Sequence, residues 1–197
     1  MKKYKFTGET KTIYLPFGTV TLHRIKAVVE FGLVKVGDLG GWIEKEENLS
    51  HEENAWVYGD AEVCGNAKVY GNAKVCGNAK VYGDAEVYGD AKVYGDAEVR
   101  GNAWVCGNAW VCGNAKVFST DHVLVIGAIG SRNDFTTFFR DKDNEITVKC
   151  GCFLGKIDKF LEKVTQTHKD TKHALVYRAA VEVAKLQIDL TEKSTRR

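Results

Sequence analysis

The sequence has little of what marks several common protein classes. It contains one proline in 197 residues, and no apolar run approaches the roughly 20 residues that a membrane-spanning helix needs. An excess of one charge is also lacking, since 28 lysines and arginines stand against 26 aspartates and glutamates. That balance argues against a dedicated nucleic-acid-binding protein, which carries a basic excess. The N-terminal MKKYKFTGET has no apolar segment behind its basic residues, so we predict neither a signal peptide nor a membrane partner.

What the sequence does have is a six-residue repeat without one insertion. Residues 54–119 divide into eleven units of the form Asn/Asp-Ala-x-Val-x-Gly, the last of which ends in serine. Strand alternation turns Ala and Val to one side and the two variable positions to the other. Gly followed by Asn or Asp tolerates the backbone angles of tight turns. A three-residue strand and a corner, repeated, predict a parallel β-helix, and with three units per coil the slots stack every 18 residues.

These units resemble the hexapeptide-repeat family, which is best known from acyltransferases and from partner domains of nucleotidyltransferases. The resemblance covers about residues 48–126. It implies a left-handed β-helix, with the handedness resting on the resemblance alone, and a homotrimer whose subunits pack side by side. The flanks, HRIKAVVEFGLVKVGDLGGWIEKEENLS and GSRNDFTTFFRDKDNEITVKCGCFLGKIDKF, are similar to those of uncharacterised bacterial and phage hexapeptide-repeat proteins.

The predicted fold class is mainly β, a left-handed parallel β-helix with a short β cap and a small α+β module. We place the cap at residues 1–47, the β-helix at 48–122 and the module at 123–197. The proline in LPFG separates two β-prone runs, and Trp42 is expected to plug the open end of the valine stack. The module is predicted to hold a β-run, a hairpin around residues 141–144 and two amphipathic helices. The inward faces expected for the helices are Ile157, Phe160, Leu161 and Val164, then Leu175, Ala179, Val183 and Leu186.

Stacking every 18 residues sorts the outward side chains into columns. No cysteine of the repeat lies directly on another, so we predict reduced thiols and a cytoplasmic location, the host cytoplasm if the chain is phage-encoded. Trp104 and Trp110 form an aromatic patch that we interpret as a contact surface or, alternatively, as a ligand-stacking wall. One column alternates in sign and predicts register control on a solvated face: Glu62, Lys80, Glu98 and Lys116.

Acyl transfer, the activity that the resemblance implies, needs a histidine as general base. The eleven units run without an extruded loop, and the candidate bases are His51, before the first unit, and His122, after the last. A zinc site of three histidines cannot be assembled near the coil. A lone Cys-x-Cys at Cys150 and Cys152 is weak evidence for a metal. We therefore predict no metal and no cofactor.

Residues 127–140 concentrate glycines, hydroxyl groups and two arginines. Successive N–H groups at a glycine turn can form an anion nest, and a helix beginning near Gly155 would add a second anion donor. A nearby ring of Phe135, Phe138 or Trp104 would then stack on a base. The predicted ligand-binding residues are Ser131, Arg132, Asn133, Thr137, Arg140, Lys156 and Trp104.

From these observations we predict a non-catalytic, homo-oligomeric protein that binds or sequesters a small anionic, nucleotide-like metabolite. The similarity of the flanks to phage proteins adds the hypothesis that it counters a host defence based on nucleotide signalling. Two alternatives stay open. One is an acyltransferase that uses acyl-CoA with His51 or His122, and the other is a purely structural spacer.

Overall fold

The computed structural model describes residues 1–16 and 18–191. The chain opens with two long antiparallel strands, β1 (Tyr4–Leu15) and β2 (Gly18–Ala27), followed by β3 (Leu39–Ile43) and a 3₁₀ turn, Glu46–Asn48. The predicted break at the single proline is confirmed, because Pro16 stands in the turn between β1 and β2.

Each hexapeptide then contributes one two-residue strand, from β4 to β14. Strands that lie 18 residues apart pair in parallel. The strands build three faces. The first face holds β4, β7, β10 and β13, the second holds β5, β8, β11 and β14, and the third holds β6, β9 and β12. The strands are Trp56–Val57, Glu62–Val63, Lys68–Val69, Lys74–Val75, Lys80–Val81, Glu86–Val87, Lys92–Val93, Glu98–Val99, Trp104–Val105, Trp110–Val111 and Lys116–Val117.

The core of the coil is the stack of repeat valines and alanines, each of which is at most 1% exposed. Burying one valine side chain contributes about 1.5 kcal/mol or more, so the array gains stability with each unit added. The predicted fold class is confirmed in its architecture: the chain is mainly β, with a parallel β-helix of six-residue repeats between a β cap and an α+β module.

Side-chain donors close the first coil. Along the array, backbone N–H groups donate to carbonyls of the following coil, and the segment from β3 to Ser50 supplies such donors to Ala61, Val63 and Val69 of the first coil. Side chains bond other carbonyls there, which a buried position would otherwise leave without a partner. Buried Lys3 donates its ammonium to three carbonyls within residues 52–55, including that of Ala55 at 2.8 Å. Asn48, also buried, donates to the carbonyls of Gly65 and Ala67. Burial lowers the pKa of Lys3 to about 8, against the attraction of a nearby glutamate.

Side-chain acceptors close the last coil. The N–H of Trp110 donates to Oγ1 of Thr137 at 3.0 Å, and the N–H of Phe118 donates to Nδ1 of His122 at 3.0 Å. His122 belongs to a 3₁₀ turn, Thr120–His122, that leads the chain out of the repeat. Side-chain donors therefore bond carbonyls at one end of the β-helix, and side-chain acceptors bond N–H groups at the other end.

The C-terminal module is a four-stranded antiparallel sheet followed by two helices. Its strands are β15 (Val123–Ile129), β16 (Asp134–Arg140), β17 (Ile146–Cys150) and β18 (Phe153–Lys156), and its helices are α1 (Ile157–His168) and α2 (Lys172–Gln187). The hairpin predicted around residues 141–144 is confirmed by the pairing of β16 with β17. The predicted inward face of α1 is confirmed too, with Phe160 and Val164 buried and Ile157 and Leu161 packed beside them.

The inward face predicted for α2 is wrong. Leu175, Val183 and Leu186 are 59%, 48% and 89% exposed. This helix carries apolar residues on both of its sides, so periodicity alone did not separate the packed side from the open one. The sheet and α1 pack against the side that combines three alanines with Tyr177 and Val181. Its buried residues are Ala174, Tyr177, Ala180, Val181 and Ala184.

The N-terminal hairpin overturns two further predictions. Trp42 does not plug the valine stack, because it pairs with Glu62 on the second face and lies beneath the cations of Lys11 and Arg24. The second face was predicted to be solvated, but the hairpin covers it near Glu62. This residue is 8% exposed, and its carboxylate lies 2.9 Å from the ammonium of Lys11. The alternation of charge does hold, with Lys80 3.4 Å from Glu62.

All six cysteines are free thiols, and two of the four in the repeat are buried. Burial raises the pKa of Cys64 to about 12, so this thiol stays protonated at neutral pH. Within residues 1–16 and 18–191, no helix is long and apolar enough to cross a membrane.

Candidate functional site

The residues predicted to bind a ligand do not share one site. Ser131, Arg132 and Asn133 lie in the exposed turn between β15 and β16. Thr137 lies further along β16, where its hydroxyl accepts the bond from the last coil. Trp104 lies on β12 of the third face and is 52% exposed. The glycine turn and the tryptophan therefore belong to different surfaces.

The other two predicted cations are held by groups of the module. Arg140 is 7% exposed and donates Nε to Oδ1 of Asn144 at 2.5 Å. The ammonium of Lys156 lies 2.5 Å from carboxylate oxygens of both Asp141 and Glu145. The charge of Lys156 is therefore already paired with two carboxylates of the module.

A cleft of about 410 Å³ runs along the outside of the first face. Its floor is built from outward side chains of β7, β10 and β13, and its edge is the corner of the coil. The segment at Gly32 and Leu33 borders one end, and residues of β16 and β17 border the other. Of the predicted site residues, Thr137 lines this cleft, and the predicted stacking ring Phe135 lines it too.

Three lysines, Lys74, Lys92 and Lys149, line this cleft. Within the part of the chain that the structure describes, none of their ammonium groups has a carboxylate oxygen within 4.0 Å. Lys149 is 8% exposed, and its ammonium donates to the carbonyl of Gly151. A buried cation without an anion is costly unless another partner offsets the lost hydration. The cleft therefore carries a net positive charge, since three lysines line it against the two aspartates Asp90 and Asp134.

Trp110 positions two of these cations. The ammonium of Lys92 lies 4.1 Å from the centre of the indole ring, and that of Lys149 lies 4.9 Å from it. Cation–π attraction of this kind is worth about 0.5–2 kcal/mol, depending on exposure. The backbone N–H of Trp110 is fixed in turn by Thr137. Two ammonium groups from different parts of the chain are thus preorganised on one ring.

Amide and carboxylate groups form the corner edge of the cleft. Asn54 donates to Asn72 at 2.9 Å, and Asn72 donates to Asp90 at 3.1 Å, each one coil further along. Asp134, at the module end, accepts the N–H of Phe135 at 2.7 Å. The two carboxylates place negative charge at the edge, while the lysines occupy the floor. Any bound anion is therefore directed to the floor.

Sequence reasoning did not assign Lys74, Lys92, Lys149 and Tyr58 to a site. The 18-residue register does contain part of the signal, because it stacks Lys74, Lys92 and Trp110 in one outward column. The contribution of Lys149 could not be read from the register. It depends on how β17 packs against the last coil, which no local pattern encodes.

The two candidate catalytic histidines have structural partners. His51 accepts the N–H of Lys3 at Nδ1 and stacks on Tyr4 with ring centres 4.2 Å apart. Burial lowers the pKa of His51, while Glu46 opposes that shift. His122 is 4% exposed and bonds the N–H of Phe118. Neither histidine lines the cleft, and they stand at opposite ends of the β-helix.

Comparison with known proteins gives a short match. The chain is 39% identical over 62 residues to the uncharacterized acetyltransferase YdcK of Escherichia coli strain K12. The match covers 29% of this chain and 19% of that protein, so the chain spans about a fifth of the length of this relative. No family model matches the sequence. Together with the β-helix, the match is consistent with a relationship to hexapeptide-repeat proteins.

Proposed function

We propose that the cleft on the first face binds a small anionic molecule that carries a planar ring, and that the protein holds this molecule without converting it. The observation that carries the proposal is the convergence of Lys74, Lys92 and Lys149 on one cleft with no carboxylate partner among the described residues. Lysine is a point-charge ligand for phosphate, and a cleft of this volume suits a small molecule.

The chemistry of the lining supports binding rather than catalysis. The cleft is lined by lysines, amides, aromatic rings and two aspartates, and none of its described lining residues is a histidine or a cysteine. The described wall therefore lacks the histidine base that acyl transfer uses and a thiol nucleophile. Sequestration of a nucleotide-like signal, and the hypothesis of a phage protein acting against a host defence, extend this proposal and remain predictions.

Replacing Lys92 and Lys149 with glutamine should weaken binding of inorganic pyrophosphate about 100-fold. Each charged hydrogen bond contributes about 1.5 kcal/mol, and each 1.4 kcal/mol is a factor of ten in affinity. Isothermal titration calorimetry on wild type and variant measures the change. Lys68→Gln is the matched control, because Lys68 fills the same slot of the repeat on the third face, outside the cleft. Unchanged affinity in the double variant, with the fold intact by circular dichroism, would remove the cleft from consideration.

Acyl transfer is the second candidate, favoured by the short match to an uncharacterized acetyltransferase. Under the proposal of a binding protein, we expect no release of free CoA from acetyl-CoA in the presence of amine or hydroxyl acceptors. Steady release that disappears in His51→Asn or His122→Asn would favour the enzyme instead. A colorimetric thiol assay detects the free CoA, and circular dichroism checks that each variant folds, since both histidines bond the backbone.

The homotrimer also remains a prediction. The third face is the one on which Trp104 stands 52% exposed, beside the stacked rings of Tyr70 and Tyr88, whose centres are 4.9 Å apart. An exposed aromatic group of this kind suits a contact between subunits. We therefore place the expected subunit contact on the third face, away from the cleft.

A further inference from the structure

The functional side chains of the cleft follow a fixed order along the β-helix. The register places Tyr58 in the first coil, Lys74 in the second, Lys92 in the third and Trp110 in the fourth. Each coil advances the structure by about 4.8 Å, so the two aromatic residues are separated by about 14 Å along the axis. The order is therefore ring, cation, cation, ring.

Both ends of the cleft are suited to a planar group. At the first-coil end, Tyr58 is accompanied by Gly32 and the 82% exposed Leu33. At the other end, Trp110 is accompanied by Phe135, which is 37% exposed. Bases stack on aromatic side chains with about 1–3 kcal/mol each. Between these two ends the cleft holds cationic and amide side chains and, at its edge, the carboxylate of Asp90.

We propose that the ligand of this cleft has two planar rings joined through phosphate groups, that is, a dinucleotide or a dinucleoside polyphosphate. The inference rests on the proposed function and names the ligand class of the same site. The phosphates lie over Lys74 and Lys92, one base lies against Tyr58, and the other lies against Phe135 and the edge of Trp110. Asp90 and Asp134 accept hydrogen bonds from ribose hydroxyls or exocyclic amines, because carboxylates are hydrogen-bond acceptors. Their negative charge also repels the phosphates, which keeps the phosphates over the lysines.

The alternatives fit the cleft less well. A mononucleotide fills one aromatic end and leaves the other open to water. A long nucleic-acid strand needs a groove that is open at both ends, whereas the segment at Gly32 and Leu33 and the strands β16 and β17 border this cleft. The edge also carries carboxylates, which a repeated phosphate backbone would have to pass.

The test compares three probes by isothermal titration calorimetry on the full chain: inorganic pyrophosphate, ADP, and diadenosine diphosphate, in which a pyrophosphate joins two adenosines. We expect diadenosine diphosphate to bind at least tenfold more tightly than ADP, about the effect of stacking one further base. Tyr58→Leu should reduce that advantage to less than threefold and leave pyrophosphate binding unchanged. Phe135→Ala, at the more exposed position, repeats the test at the opposite end and does not depend on the folding of the first variant.

The possible failures are distinguishable. If ADP and diadenosine diphosphate bind equally well while pyrophosphate still binds, the two-ring ligand class is wrong and the anion-binding cleft stands. If none of the three probes binds at millimolar concentration, the proposed function itself fails. A tenfold advantage that survives in both Tyr58→Leu and Phe135→Ala would place the second base outside this cleft and would also overturn the inference.

Discussion

Replacing Gly101 with alanine is expected to lower the free energy of unfolding by about 3–4 kcal/mol. Gly101 has a φ of +65°, and an added Cβ would lie 2.4 Å from the carbonyl oxygen of Phe118. The left-handed backbone conformation costs alanine about 1–2 kcal/mol, and the collision with a fixed carbonyl adds the rest. Urea unfolding followed by circular dichroism measures the loss.

Gly107 supplies the matched control, because it has nearly the same φ, +61°, with no atom within 4 Å of an added Cβ. Gly107→Ala should therefore cost only the conformational part, about 1–2 kcal/mol. The comparison separates backbone strain from the close stacking of coils. Equal losses in the two variants would mean that the last coil moves away from Gly101 without cost.

Asp141→Ala is expected to cost about 3 kcal/mol, the second large effect. The buried carboxylate of Asp141 lies 2.5 Å from both the hydroxyl of Thr147 and the ammonium of Lys156, and it accepts the backbone N–H groups of Asp143 and Glu145. Removing it leaves those donors without their acceptor at the turn between β16 and β17. Thermal or urea unfolding measures the effect.

Asp143→Ala is the control for this turn. Its side chain is 55% exposed and lies 3.6 Å from Lys156, so its loss should cost less than about 0.5 kcal/mol. If both variants lose the same stability, the turn rather than the buried carboxylate is responsible.

The contribution of Asp141 should also depend on pH. Burial on its own raises the pKa of this carboxyl, but the bonds from Lys156, Thr147 and two backbone N–H groups outweigh burial and hold the pKa below its ordinary value. The stabilisation is therefore full above the pKa of the unfolded chain, about 3.9, and is lost as the pH falls through the lowered folded pKa. The difference in unfolding free energy between wild type and Asp141→Ala should shrink between pH 6 and pH 2.5.

The β-helix was predictable because its sequence is local and periodic. A valine every six residues and a glycine at each corner determine which side chains point inward, and stacking follows from repetition alone. The outward columns followed too, so that Lys74, Lys92 and Trp110 could be placed on one face before the structure was known.

The rest depended on contacts between segments distant in sequence. Trp42 was expected to close the open end of the valine stack. Instead, the N-terminal hairpin folds over the second face, and Trp42 packs between the two. The packed side of α2 was decided by the shape of the sheet beneath it, and Lys149 reaches Trp110 only because β17 lies against the last coil. Periodicity carries no information on how such distant segments dock. For this reason Lys149 could not be assigned to the cleft from the sequence.

The two closures of the β-helix have a consequence for assembly. Lys3 and Asn48 occupy the carbonyls at one end, and Thr137 and His122 occupy the N–H groups at the other. An open coil would present a template on which another chain could continue the same hydrogen-bonding pattern, as in a growing fibril. Here side-chain donors at one end and side-chain acceptors at the other occupy part of both template surfaces, which leaves fewer groups for another chain to pair with.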